Sequence, residues 1–183
     1  PLDGGILLQI IYLNCLSGQL SPEKLQTLQS KLNHATRSLA AVGVIEKLVT
    51  LATDGSCPSL EKSNVHIMIS SLLANDNFSS GKERHALYYW QGILFADQRQ
   101  LNNAIDAFDT SYRYLKAVEI PLQQAVWLHS AGLADAAQKY ITIAKDLDRQ
   151  NANPLLKNSR RADIRKIEEL LNNKQRNKNS NTQ

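Results

Sequence analysis

Cys15 and Cys57 are the only two thiols in the chain, and they bound the covalent chemistry open to it. Two cysteines are too few for a disulfide framework and lack the paired spacing of a structural zinc site. Cys15 ends the first predicted helix and Cys57 follows the third, so an up-down-up arrangement brings both to one end of a bundle. A bond between them would close a long loop and imply an oxidising compartment. The alternative is two unpaired thiols, with Cys15 as a small core residue. Cys57 has no base beside it in the sequence and does not make a nucleophilic site.

The four histidines, His34, His66, His85 and His129, are scattered without an i, i+4 pair, so they form no metal signature. His66, set among Val65, Ile67 and Met68, reads as a hydrogen-bonded, half-buried side chain. Gly4-Gly5 lacks the spacing of a phosphate loop. Glu168-Glu169 and the pair Asp106 and Asp109 read as surface charge. Asn77-Phe78-Ser79 has the form of a glycosylation sequon, a pattern too short to build on. No catalytic, cofactor-binding or metal residue is assigned, and no cofactor is expected.

The elements that carry these residues are helices. Of 183 residues, 43% are hydrophobic and 21% charged, enough for a real core, and no apolar run approaches the roughly 18 residues of a membrane span. Apolar residues recur at helical spacing throughout, so the fold is all-α, with about nine helices. The first covers about Asp3 to Leu16. Ser21-Pro22-Glu23 caps the second, and the third runs from about Thr36 to Thr53. Ser59 caps a fourth that ends near Asn75, and the capping box Ser80-Gly81-Lys82-Glu83 opens the fifth, which ends near Asp97. A sixth begins at Leu101. Two more follow at about Leu122 to Ser130 and Leu133 to Arg149, and a last one reaches Leu171. Short links make sequential helices antiparallel neighbours.

The net charge of +4 is local: from Lys157 onward eight basic side chains face three acidic ones, so the preceding body is near neutral. That argues against a nucleic-acid partner. Asn172 to Gln183 holds no apolar residue and reads as a disordered basic tail. Pro1 in place of an initiator methionine leads us to expect a mature form or a piece of a longer chain.

Phe95, Leu101, Ala104, Phe108 and Ser111 match Trp127, Leu133, Ala136, Tyr140 and Ile143 in order, at one constant offset. Gly92 adds a small residue to the first unit, about 85 to 117. The pattern resembles the tetratricopeptide repeat, a helix-turn-helix unit of about 34 residues. Lys116 stands at the usual proline and Gln124 at the second unit's small position. The resemblance implies antiparallel helix pairs stacked as a right-handed superhelix over 1–171. Within it, 1–75 would be degenerate helix pairs, 81–150 the repeats and 154–171 a capping helix. It also implies that Tyr89, Ile93, Ala96 and Asp97, with His129 near the equivalent place in the next unit, face a concave groove; the plainer reading of each is core.

More loosely, Pro-Leu-Asp-Gly-Gly before an apolar helix, Cys15, Asp54-Gly55-Ser56-Cys57-Pro58 and a repeat unit ending in a basic helix look like soluble C-terminal regions of bacterial multi-spanning glycosyltransferases. These include the O-antigen ligase, polymerase and oligosaccharyltransferase types. The expectation is a non-catalytic interaction scaffold for a protein or peptide partner. The other reading is a periplasmic accessory domain that helps such an enzyme position its acceptor or partners. Its own membrane-embedded parent would then be a partner and its only link to a membrane; a cytoplasmic location is the alternative.

Overall fold

A computed structural model describes residues 3–35, 40–74, 80–150 and 164–169. All their regular elements are helical: α1 (Gly4–Leu16), α2 (Pro22–Leu32), α3 (Ala40–Asp54), α4 (Lys62–Ala74), α5 (Gly81–Asp97), α6 (Leu101–Tyr114), α7 (Glu119–Ser130) and α8 (Ala134–Gln150), with a further helical segment at 164–169. The all-α fold follows the periodicity of the sequence. The sequon, the tail at 172–183 and most of the expected last helix lie outside the described residues.

Local chemistry sets the helix starts. Asp3 Oδ1 accepts from the Ile6 N–H at 3.0 Å, and Ser21 Oγ from the Lys24 N–H at 3.2 Å. Ser80 Oγ accepts from the Glu83 N–H at 3.3 Å and donates to Glu83 Oε2 at 2.9 Å. Ser59 does not cap α4. The Leu60 N–H closes a turn onto the Cys57 carbonyl at 2.9 Å, and Asn64 Oδ1 takes the Glu61 N–H at 2.9 Å, which moves the helix start to Lys62. α7 starts earlier than the pattern suggests, at Glu119. Pro121 then sits in the first turn, where its missing N–H leaves no intrahelical bond unmade.

The chain divides into two compact units, residues 1–115 and 116–183. In the first, α3 packs against α1, α4 and α5, while α2 bridges α1 and α4 and α6 lies along α5. Leu8, Ile11, Ile45, Leu48, Met68 and Ile69 are fully buried at its centre. Cys15 and Cys57 are joined by a disulfide, their Cα atoms 5.5 Å apart. α5 and α6 run antiparallel. Gly92 faces Phe108, and Ser111 latches onto His85: its hydroxyl donates to the His85 carbonyl at 2.7 Å, while His85 Nδ1 lies 3.1 Å from the Ser111 carbonyl. With the hydroxyl proton already given to that carbonyl, Nδ1–H is the donor on the ring.

The second unit contains the α7–α8 hairpin and the segment 164–169. Its hairpin repeats the local geometry of α5–α6, bond for bond across the turn. The N–H groups of Gln98, Arg99 and Gln100 bond to the carbonyls of Leu94, Ala96 and Phe95; those of Ala131, Gly132 and Leu133 bond to Trp127, His129 and Leu128. Both turns are Schellman closures around one left-handed residue, Arg99 at φ 60° and Gly132 at φ 83°. Burial follows the same spacing: Ala104, Phe108 and Ser111 are fully buried, as are Ala137, Ile141 and Ala144.

The match read from the sequence is therefore corrected by one position: Phe95 corresponds to Leu128 and not to Trp127. Tyr140 is only half-buried where Phe108 is fully buried, and by the turn bonds aliphatic Leu128 and Ile141 occupy the slots equivalent to Phe95 and Phe108. A slip of one residue turns a helix by about 100°. In the corrected register the small residue matching Gly92 is Ala125, fully buried, and Gln124 no longer stands at that place.

The two turns give a paired prediction. A non-glycine residue in the left-handed region costs roughly 1 kcal/mol, and no side chain crowds Gly132. Gly132→Ala should thus destabilise by about 1 kcal/mol, and Arg99→Gly should stabilise by about 0.5 kcal/mol after glycine's entropy is counted. Thermal denaturation checks both.

Candidate functional site

Two faces of the α5–α6 hairpin converge on a crevice of about 380 Å³ in the first unit. From α5, Tyr88, Gln91 and Phe95 repeat at i, i+3 and i+7; from α6, Asn103, Asp106 and Thr110 do the same, with small Ala107 between them. Both aromatic ends are braced. Tyr88 stacks on Tyr114 with ring centroids 5.9 Å apart and planes within 6°, and Phe95 lies against His66 at 4.3 Å. The Asn103 amide donates to Gln100 Oε1 at 2.9 Å, and Thr110 Oγ1 donates to the Asp106 carbonyl at 2.8 Å. The Asp106 carboxylate is exposed beside them. The arrangement offers flat apolar surface at its ends and hydrogen-bonding groups between, suited to the backbone and side chains of a chain laid across it.

The groove residues expected from the repeat register lie elsewhere. Tyr89, Ile93 and Asp97 form a stripe on the side of α5 away from the crevice. Tyr89 packs among rings, 5.2 Å from Trp90 and 5.8 Å from Phe108. Ile93 packs against the first unit's core, and Asp97 is ion-paired with Lys62 of α4. His129 is half-buried on α7 in the second unit. Of the five, the structure thus brings four together on one side of α5, with Ala96 among them fully buried, and leaves His129 apart in the second unit. Tyr88 belongs to the aromatic cluster of which the sequence leads us to expect some members in a groove; Gln91 and Phe95 were not expected there, although their spacing opposite the polar i, i+3, i+7 face of α6 was a usable signal.

His66 is half-buried, as the sequence suggests; its ring has the Gln98 side chain as a hydrogen-bonding neighbour, though neither ring nitrogen makes a bond of full geometry. Burial lowers its pKa below the ordinary histidine value, partly offset by the Gln98 side chain. The folded protein therefore holds the ring neutral while the unfolded chain protonates more readily. Its contribution is complete above about pH 6.5 and is lost as pH falls from there toward the lowered folded value. The expected outcome is a stability that declines between pH 7 and 5 and declines less in His66→Phe, measured by urea midpoints across that range.

A second concavity, of about 500 Å³, lies in the second unit between α8 and 164–169. Its charges are mutually engaged: Lys145 pairs with Glu168, and Arg149 with Asp146 at 3.2 Å. Among the described residues no cluster of three His, Cys, Asp or Glu side chains could hold a metal, and no helix is long and apolar enough to cross a membrane. No protein family, curated protein or solved structure matches the chain.

Proposed function

We propose that this chain is a non-catalytic interaction scaffold of the tetratricopeptide type, which docks an extended segment of a protein partner in the α5–α6 crevice. The observation that carries the reading is the crevice itself, built by a hairpin whose local geometry recurs in α7–α8. Recurrence of one helix-turn-helix unit is the signature of solenoid scaffolds, which bind through extended surfaces. Selecting peptides from a random library on the full chain, then titrating them calorimetrically against Tyr88→Ala and Asp106→Lys, tests it. Selected peptides should lose at least about tenfold in affinity on Tyr88→Ala, as at a buried aromatic anchor. Peptides that bind wild type and both variants equally would refute the crevice as the docking place.

The disulfide supports a second, compatible reading: a periplasmic accessory region of a membrane glycosyltransferase that positions its acceptor or partners. A bond between Cys15 and Cys57 suits an oxidising compartment. Peptide mapping of the native protein under non-reducing conditions should recover the linked pair; two free thiols would remove the support.

A further inference from the structure

α1 is apolar on two opposite sides, and only one of them is covered. Leu7, Leu8, Ile11 and Cys15 are buried in the first unit, whereas Ile6 (56% exposed), Ile10 (37%), Leu13 (52%) and Leu16 (58%) face outward. At 100° per residue these four fall within an arc of about 120°. Four of the eight large apolar side chains that the described residues leave exposed thus lie on one helix, as a stripe rather than scattered. Nothing between Gly4 and Leu16 is charged. On the two flanks of the stripe stand Tyr12 and Asn14, and each holds an exposed lysine of a neighbouring helix. Lys47 Nζ of α3 lies 5.2 Å from the Tyr12 ring centre, and Lys24 Nζ of α2 donates to Asn14 Oδ1.

We infer that the outer face of α1 is a lipid-docking surface, lying flat in the headgroup layer of an anionic bilayer with Lys24 and Lys47 on either side at the phosphates. Charge and area both select this occupant. An apolar stripe with a lysine on each flank suits an anionic interface, apolar below and negative at the rim; exposed Glu23 and Glu46 adjoin the two lysines and Asp3 caps the helix, so the charge attraction is local to the two ammonium groups. Four side chains that are only 37 to 58% exposed fall well short of the roughly 800 Å² that each partner gives to a stable protein interface, so a second copy of the chain is the poorer fit. At 13 residues the helix lies along a membrane and does not span one.

The test is flotation of the full chain with vesicles of phosphatidylcholine alone and of phosphatidylcholine mixed with phosphatidylglycerol, at physiological salt. Wild type should float with the anionic vesicles. Ile10→Asn/Leu13→Asn should lose at least about tenfold in partitioning, and Lys24→Gln/Lys47→Gln several-fold on anionic vesicles only. Because these positions are exposed, folding should be unchanged by circular dichroism; Ile6→Asn/Leu16→Asn is a second pair on the same stripe. Three results would overturn the inference: no flotation of wild type; equal flotation of the apolar variants, which would assign binding to the basic C-terminal segment; or a dimer that the apolar variants convert to monomer, which would make the stripe a contact between copies.

Discussion

Cys15→Ala/Cys57→Ala should lower the unfolding free energy of the first unit by about 3 to 4 kcal/mol, the chain-entropy value for a loop of this length. The bond joins residues 42 apart in sequence, and the loop it closes contains all of α2 and α3. α3 holds the centre of the unit through α1, α4 and α5, whereas the main contacts of α2 are with α1 and α4, so the unbridged chain gains most of its freedom there. Both sulfurs are buried, and alanine leaves no polar group behind. Trp90 packs against this core and reports on it alone in a Trp127→Phe background. Urea titration of that protein, oxidised and with both cysteines replaced, gives the difference; equal midpoints would mean that the bridge constrains nothing.

Gly92→Ala should destabilise the same unit by about 1 to 2 kcal/mol, an overpacking cost less a gain in helix propensity. A Cβ at position 92 would stand 2.6 Å from two ring carbons of Phe108 and 3.0 Å from a third. The ring is fully buried, so α5 and α6 must part or Phe108 must leave its rotamer. Overpacking of that kind costs about 1 to 3 kcal/mol, and alanine's better helix propensity returns under about 1 kcal/mol of it. The α7–α8 hairpin has taken the other solution, with Ala125 and Ile141 at the equivalent places, both fully buried.

These packing details mark where sequence reading stops. The caps at Ser21 and Ser80 were legible because each is a local bond between a side-chain oxygen and an orphan N–H of the first turn; Asp3, expected as the first residue of α1, caps it instead. Ser59 misled because Ser59 and Asn64 both offer cap oxygens in one short stretch, and only the Cys57 turn decides between them. The repeat was visible, but its register was hidden: aromatic residues mark size, and the buried slots of the second hairpin are filled by Leu128 and Ile141. The expected stripe Tyr89, Ile93, Asp97 and the crevice face Tyr88, Gln91, Phe95 point to nearly opposite sides of α5, about 165° apart at 100° per residue. In α1, the apolar residues surround the helix, so no periodicity could say which side α3 would cover. That Cys15 and Cys57 share an end of the bundle followed from helix order; the bond itself depends on how closely α1 and the loop after α3 approach.

The recurring hairpin is the central claim, and the most direct measurement is a double-mutant cycle of Gly92→Ala and Phe108→Ile, read by urea unfolding of the first unit. If the hairpins share one register, the double variant carries the small–large pair of the second hairpin. Gly92→Ala should then cost little or nothing in the Phe108→Ile background, a coupling of about 1 to 2 kcal/mol. If Gly92→Ala costs the same with Phe108 and with isoleucine in its place, the two positions do not form a packed pair and the shared register fails.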